Sequence, residues 1–125
     1  MNPYSKYKSA AVHTQDSIGQ IIAVFDETIK LLYQAKKCIE KTDIEGKHNA
    51  FTKAYDIFFS LHAGIDKSSG HEILISLDIF LISVINKIFV LNSTVNDLSE
   101  LDKLIETISG VRDTIQEQAK KEGLL

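Results

Sequence analysis

The chain has 125 residues, close to the commonest length of a single domain, so we expect one hydrophobic core. Its 14 basic and 17 acidic residues give a net charge of −3 and are mixed along the sequence, which argues against a nucleic-acid partner. Cys38 is the single cysteine, so no internal disulfide can form. The first 17 residues contain no apolar run that fits a signal-peptide core, and we therefore expect a cytoplasmic protein.

Helix breakers are scarce, since Pro3 is the only proline, and this favours long helices. A first helix is predicted over about residues 17–41, capped by Asp16 or Ser17. Its apolar residues recur at steps of three and four, as expected for one helical face. They are Ile18, Ile22, Phe25, Ile29, Leu32 and Ile39.

Three further helices are predicted along the chain. A capping box at Thr42-Asp43-Ile44-Glu45 starts the second. The predicted bounds are about 43–66, 71–91 and 97–120, with Asn96 as the cap of the last helix. Short links between helices of matched length predict an all-α, antiparallel up-down four-helix bundle, a single domain over residues 1–125. An extended N-terminal arm, residues 1–15, precedes it.

The third predicted helix has more apolar surface than a bundle requires. Its polar residues Glu72, Ser76, Ser83, Asn86 and Lys87 share one narrow side, which leaves an apolar arc of about 220°, against a usual stripe somewhat over 100°. Two interpretations stay open: the helix is central and touches all its neighbours, or the arc receives a partner, a second copy or another part of the chain. The polar residues argue against membrane insertion.

The second predicted helix also has apolar residues beyond one stripe, because Tyr55, Phe58 and Phe59 cannot all face one core. We therefore predict an apolar groove, formed by the second and third helices, that binds a partner. The candidate residues are Phe58, Phe59, Leu74, Ile82, Ile85 and Phe89.

Apolar and aromatic residues also precede the first helix, at Tyr4, Tyr7 and Val12. We predict that this arm covers part of the groove until a partner displaces it, which would lower the apparent affinity for the partner. The alternative interpretation is a tail without a function in binding.

Four histidines, among them His48 and His62, raise the question of metal binding or phosphotransfer. A di-metal bundle needs two Glu-x-x-His pairs, and the chain has only Glu45 with His48, so we predict neither metal nor cofactor. Histidine phosphotransfer through His62 stays as an alternative, although Lys67 is five positions away and does not fit the site's spacing. No other catalytic motif occurs, and we expect no enzymatic activity.

Several short motifs follow one another through nearly the whole chain. They are Tyr7 with Val12-His13-Thr14, Phe25-Asp26-Glu27-Thr28-Ile29 with Ala35-Lys36, Tyr55-Asp56-Ile57 with Leu61 and Ile65-Asp66, Leu77 with Lys87-Ile88 and Leu91-Asn92, and Val111-Arg112-Asp113-Thr114. In this order and spacing they resemble the flagellin-specific export chaperones called FliS, where a tyrosine, Val-x-Thr and Leu-Tyr-Asp-Gly-Ala-Ile recur. The chain departs from that pattern at Asp16-Ser17, Gln20, Phe25, Glu27 and Ile115.

This resemblance implies a cytosolic four-helix bundle that binds the disordered C-terminal segment of flagellin. It also implies that binding prevents premature polymerisation and that the complex reaches the flagellar export apparatus. The N-terminal segment of the family is associated with occupying client-binding surface when no client is bound. We expect a monomer or a weak homodimer.

Overall fold

The structure is a computed structural model and describes residues 14–65, 68, 70–94 and 98–125, with side chains from Ile18 onward. Four helices account for most of this part of the chain, which contains no strand: α1 is Thr14–Glu40, α2 is Ile44–Gly64, α3 is Glu72–Ser93 and α4 is Leu98–Lys121. The predicted arm residues Tyr4, Tyr7 and Val12 and the predicted cap Asn96 lie outside the described residues.

The observed ends of the helices differ from the predicted bounds by a few residues. Because α1 begins at Thr14, the prediction of a cap at Asp16 or Ser17 was wrong: both residues lie inside the helix. The predicted extended arm, residues 1–15, was also too long, since residues 14 and 15 are helical. Polar residues are tolerated throughout a first turn, where the amides are exposed, so the apolar pattern does not mark this end. At the start of α2, Asp43 is the N-cap rather than Thr42, and its Oδ1 accepts a 2.9 Å hydrogen bond from the amide of Gly46.

The start of α3 is capped by His71, whose Nδ1 accepts a 3.1 Å hydrogen bond from the amide of Ile73. The helix then continues to Ser93, two residues beyond its predicted end. Thr42, in the turn between α1 and α2, has a positive φ of 58°, which lets the chain reverse over three residues.

Neighbouring helices run antiparallel, because residue numbers fall along one helix as they rise along the next. Polar pairs demonstrate this between α1 and α4, between α2 and α3, and between α3 and the end of α4. They are Asp26 with Arg112 and Lys36 with Asp102; His48 with Asn92 and His62 with Asp78; and Lys87 with Glu100 and His71 with Glu122. The short connection between α1 and α2 imposes the same arrangement. The prediction of an all-α antiparallel four-helix bundle is confirmed.

Phenylalanine rings of three helices contact one another, two of them in the core and the third, Phe80, half-buried at its edge. The ring of Phe25 on α1 lies 5.1 Å from Phe58 on α2 and 6.0 Å from Phe80 on α3, measured between centroids. Each fully buried Phe, Ile or Leu contributes roughly 1.5–3 kcal/mol through removal of apolar surface from water. The largest fully buried side chains are Phe25, Phe51, Phe58, Ile18, Ile21, Leu32, Ile57, Leu74, Leu81, Ile88, Leu101 and Ile108.

Candidate functional site

One side of α3 exposes an unusual amount of apolar surface. Of the nine exposed large hydrophobic side chains in the described part of the chain, five lie on this helix. Their exposed fractions are 52% for Ile75, 80% for Ile79, 43% for Ile82, 62% for Phe89 and 50% for Val90. Clusters of this kind usually mark interaction surfaces on soluble proteins. The interpretation of α3 as a helix covered on all sides was therefore wrong, because a helix at the corner of a four-helix bundle keeps one side free.

Aromatic residues of α2 extend this surface across the helix boundary. Phe59 is exposed, and its ring stacks on half-buried Tyr55 with 6.0 Å between centroids. Tyr55 in turn lies 6.4 Å from Phe89 of α3. A shallow depression of about 270 Å³ adjoins these rings and is lined by Phe51, Thr52, Tyr55, Ile88, Phe89 and Asn92.

We define the apolar α2–α3 face as the half-buried or exposed residues Tyr55, Phe59, Ile75, Ile79, Ile82, Phe89 and Val90. Three predicted groove residues, Phe59, Ile82 and Phe89, belong to it. The other three, Phe58, Leu74 and Ile85, are buried in the core and present almost no surface.

Sequence reasoning missed Tyr55, Ile75, Ile79 and Val90 as members of this face. Steps of three and four from Ile82 lead directly to Ile79, Ile75 and, past Asn86, to Phe89. That spacing was the available signal. Apolar residues on every side of α3 concealed it, because periodicity alone does not tell which side faces the core.

Two polar pairs lie between α2 and α3, one on each side of the aromatic cluster along the helix axes. Nε2 of His62 lies 2.8 Å from Oδ1 of Asp78, and Nδ1 of His48 lies 2.6 Å from Oδ1 of Asn92. The first pair explains how Asp78 occurs within an apolar arc, because a neighbouring helix satisfies its carboxylate. These pairs fix the register of the two helices that form the apolar α2–α3 face.

This geometry does not favour phosphotransfer through His62. A phosphoryl group on Nε2 would lie against the Asp78 carboxylate, and two negative charges at that distance repel each other. Lys67, the cation considered for this site, lies outside the described residues. Within the described ranges, no group of three or more His, Cys, Asp or Glu side chains is placed to hold a metal ion.

On the opposite side of the bundle, ion pairs connect α1 and α4 at the surface. Arg112 donates through Nε and Nη2 to the two oxygens of Asp26, at 2.9 and 3.3 Å, and this hydrogen bonding raises the pKa of Arg112 above its ordinary value. Hydrogen bonding to Asp102, at 2.8 Å, likewise raises the pKa of Lys36. The two cations therefore stay charged through the neutral range.

By length and composition alone, α3 could cross a membrane. The bundle buries 39% of its most apolar stretch. Core helices of soluble proteins pass the same test. The His62–Asp78 pair and exposed Asn86 are costly groups to place in lipid. Contact with another helix can satisfy such groups and bury the exposed apolar residues as well.

The chain is similar to a known protein family over nearly its whole length. Residues 1–122 match the family described as Flagellar protein FliS. The chain belongs to the FliS family. This is the family of flagellar export chaperones, whose members bind flagellin, and the resemblance seen in the sequence is confirmed. No curated protein and no solved structure matches the chain.

Proposed function

We propose that this FliS-family chain is a cytoplasmic chaperone that binds the disordered C-terminal segment of flagellin through the apolar α2–α3 face. Membership of a flagellar export chaperone family gives the class of activity. The observation that carries the proposal is the exposure of Ile75, Ile79, Ile82 and Phe89 beside the aromatic rings of α2. An amphipathic helix of the client is the chemical complement of such a face.

The mechanism follows from competition for apolar surface. A client helix that buries its apolar side on α2 and α3 cannot use that side to pair with another flagellin, so premature polymerisation is prevented. Ordering a disordered segment costs free energy, so the contact has to be extensive and largely apolar. The complex then delivers flagellin to the export apparatus, where release frees the assembly surface again.

The proposal also covers the oligomeric state of the chain and its other possible partners. We expect the chain to act as a monomer or weak homodimer, without insertion into a membrane and without nucleic acid, since its net charge is −3 and its cations are dispersed. The proposed activity requires no catalysis. The side chain of His62, the residue considered for phosphotransfer, is paired with Asp78.

Calorimetric titration with two forms of flagellin tests the proposal. Full-length flagellin should bind with a negative change in heat capacity, which is the signature of apolar burial. Flagellin without its C-terminal segment should give no heat of binding, while that segment alone as a peptide should restore it. Equal binding of the truncated flagellin would contradict the proposal.

A further inference from the structure

Exposed residues of α3 form a strict heptad pattern. The spacing alternates between three and four residues without interruption, and all members are exposed. We call this line the α3 seam, and it consists of Glu72, Ile75, Ile79, Ile82, Asn86, Phe89 and Ser93. Such spacing is that of the a and d positions of a coiled coil, in which a second helix packs at about +20° along the first.

The borders of the α3 seam permit a helix to approach closely. On one side lie Ser76 and Ser83, two small side chains that are both exposed. On the other side Asp78 is already engaged by His62, and Tyr55 and Phe59 of α2 form an apolar wall. No Lys or Arg stands at a flanking position, where coiled coils usually carry the charges that select a partner. Three members of the α3 seam are polar, and the hydroxyl of Ser93 already donates to the carbonyls of Phe89 and Val90 in its own helix. Selection therefore depends on the other two polar members, Glu72 and Asn86, which a partner must match.

Glu72 and Asn86 are exposed to water and have no protein partner within the described part of the chain, so a bound helix has to replace their water contacts. Asn86 forms no hydrogen bond and Glu72 forms no ion pair with any described residue. An Asn at one a position costs stability but fixes register, because it is buried favourably only against another polar group.

A second copy of α3 does not meet these requirements in either direction. In a parallel pair each a residue faces itself, so Asn86 would meet its equivalent but two Glu72 carboxylates would repel each other. In an antiparallel pair a residues face d residues, and every d residue of the α3 seam, Ile75, Ile82 and Phe89, is apolar. Asn86 would then be buried without a partner, which costs about 1–3 kcal/mol.

We propose that the α3 seam binds one amphipathic helix of the client as a two-stranded coiled coil, with Asn86 setting the register. This inference rests on the proposed function and specifies the chemistry of its ligand. The client helix carries apolar residues with a 3–4 repeat, an Asn or Gln opposite Asn86, and a Lys or Arg opposite Glu72. The amide and the cation stand two heptads apart, as Asn86 and Glu72 do, whichever way the helix runs.

The test titrates the full chain with the flagellin C-terminal peptide and compares matched substitutions. Asn86→Leu should weaken binding about tenfold by leaving the client amide unpaired, while Asn86→Gln should stay within about threefold of the unaltered chain. Asn49→Leu, the same change at an exposed α2 position on another side, is the control and should have no effect. Tighter or unchanged binding by Asn86→Leu would overturn the register role.

Charge reversal provides the second arm. Glu72→Lys should weaken binding about threefold at low salt, with the difference disappearing near 0.5 M salt, whereas Glu106→Lys on α4 should change nothing. Replacing the facing cation of the peptide by Glu should restore binding to Glu72→Lys, and failure of that rescue would overturn the pairing.

Other occupants and failure of the function itself give different results. If the unaltered chain does not bind the peptide at all, the proposed function falls together with this inference. If it binds but no seam substitution matters, only the inference falls. Dimerisation that Asn86→Leu strengthens, or binding to lipid vesicles that Ile79→Asp abolishes, would reassign the α3 seam and overturn the client-helix proposal.

Discussion

Thr28 is a buried hydroxyl in an apolar environment. Its side chain is fully buried in α1, and Oγ1 has no hydrogen-bond partner among the described residues. We expect Thr28→Val to raise the free energy of unfolding by about 1 kcal/mol, because the desolvation cost of the hydroxyl is removed with little change in volume. Urea denaturation measures the difference. Thr114→Val is the control, since Thr114 is exposed and donates to the Gly110 carbonyl at 3.0 Å, and it should stay within about 0.5 kcal/mol of zero.

Two glycines within helices predict opposite effects of the same substitution. A Cβ on Gly46 would come within 2.7 Å of Sγ of Cys38 and would collide with the side chain of Asp43, which caps α2. A Cβ on Gly110 of α4 would meet no atom within 4 Å. Gly46→Ala should therefore lower the free energy of unfolding by about 1 kcal/mol, the typical value of an N-cap. Gly110→Ala should raise it by about 0.5–1 kcal/mol through helix propensity. Thermal and urea unfolding compare the two, and equal effects would contradict the packing described at Gly46.

At the scale of the element, α3 has two apolar sides, one buried and one exposed. Residues such as Leu74 and Leu81 fill the core, whereas Ile82 and Phe89 are exposed. We expect Phe89→Asp and Ile82→Asp to abolish binding of the flagellin C-terminal peptide while lowering the melting temperature by no more than a few degrees. Circular dichroism and calorimetric titration measure the two effects separately.

Matched variants separate loss of the surface from loss of the fold. Tyr33→Asp places the same charge on an exposed aromatic position of α1 and should leave binding intact. Leu74→Asp puts a charge into the core and should unfold the chain. Retained binding in both Phe89→Asp and Ile82→Asp would show that the client occupies another surface.

The presence of four helices and the antiparallel arrangement of neighbouring helices were predictable from the sequence. The first depends on the spacing of apolar residues and the second on the short links. On α1 and α4 the apolar residues recur on one face, and the polar remainder tells which side meets water. Only half of the predicted groove residues proved to be exposed, because α3 has apolar residues on every side and its sequence does not tell which of them meet water. Leu74, Ile75, Ile82 and Ile85 are alike in the sequence, and their burial is decided by where α2 and α4 pack.

The whole molecule has two unlike sides. Between α1 and α4, bidentate Arg112–Asp26 pairing and the Lys36–Asp102 pair connect the two helices at the water-exposed surface. Between α2 and α3, apolar and aromatic side chains are left uncovered by the described residues. The raised pKa values of Arg112 and Lys36 mean that any stability from their charges is present at neutral pH and is lost only as pH rises through the alkaline range. If the client binds the apolar α2–α3 face as proposed, these ion pairs lie on the other side of the bundle and should stay intact on binding.

The last prediction concerns the N-terminal arm and its Tyr4, Tyr7 and Val12. The arm was predicted as residues 1–15, and residues 1–13 precede α1. We expect these residues to compete with flagellin for the apolar α2–α3 face, because a short tether keeps their local concentration high. Removal of residues 1–13 should then strengthen binding of the flagellin peptide severalfold, as for a competing contact of about 1 kcal/mol, and should increase self-association by uncovering apolar surface. Calorimetric titration and analytical ultracentrifugation of the full and shortened chains measure both effects.

Replacing Tyr4 and Tyr7 by Ser in the full chain is the matched control, and it should reproduce the gain in affinity if the aromatic rings do the competing. Unchanged affinity in the shortened chain would make the arm a tail without a role in binding, and weakened affinity would make it part of the client-binding surface.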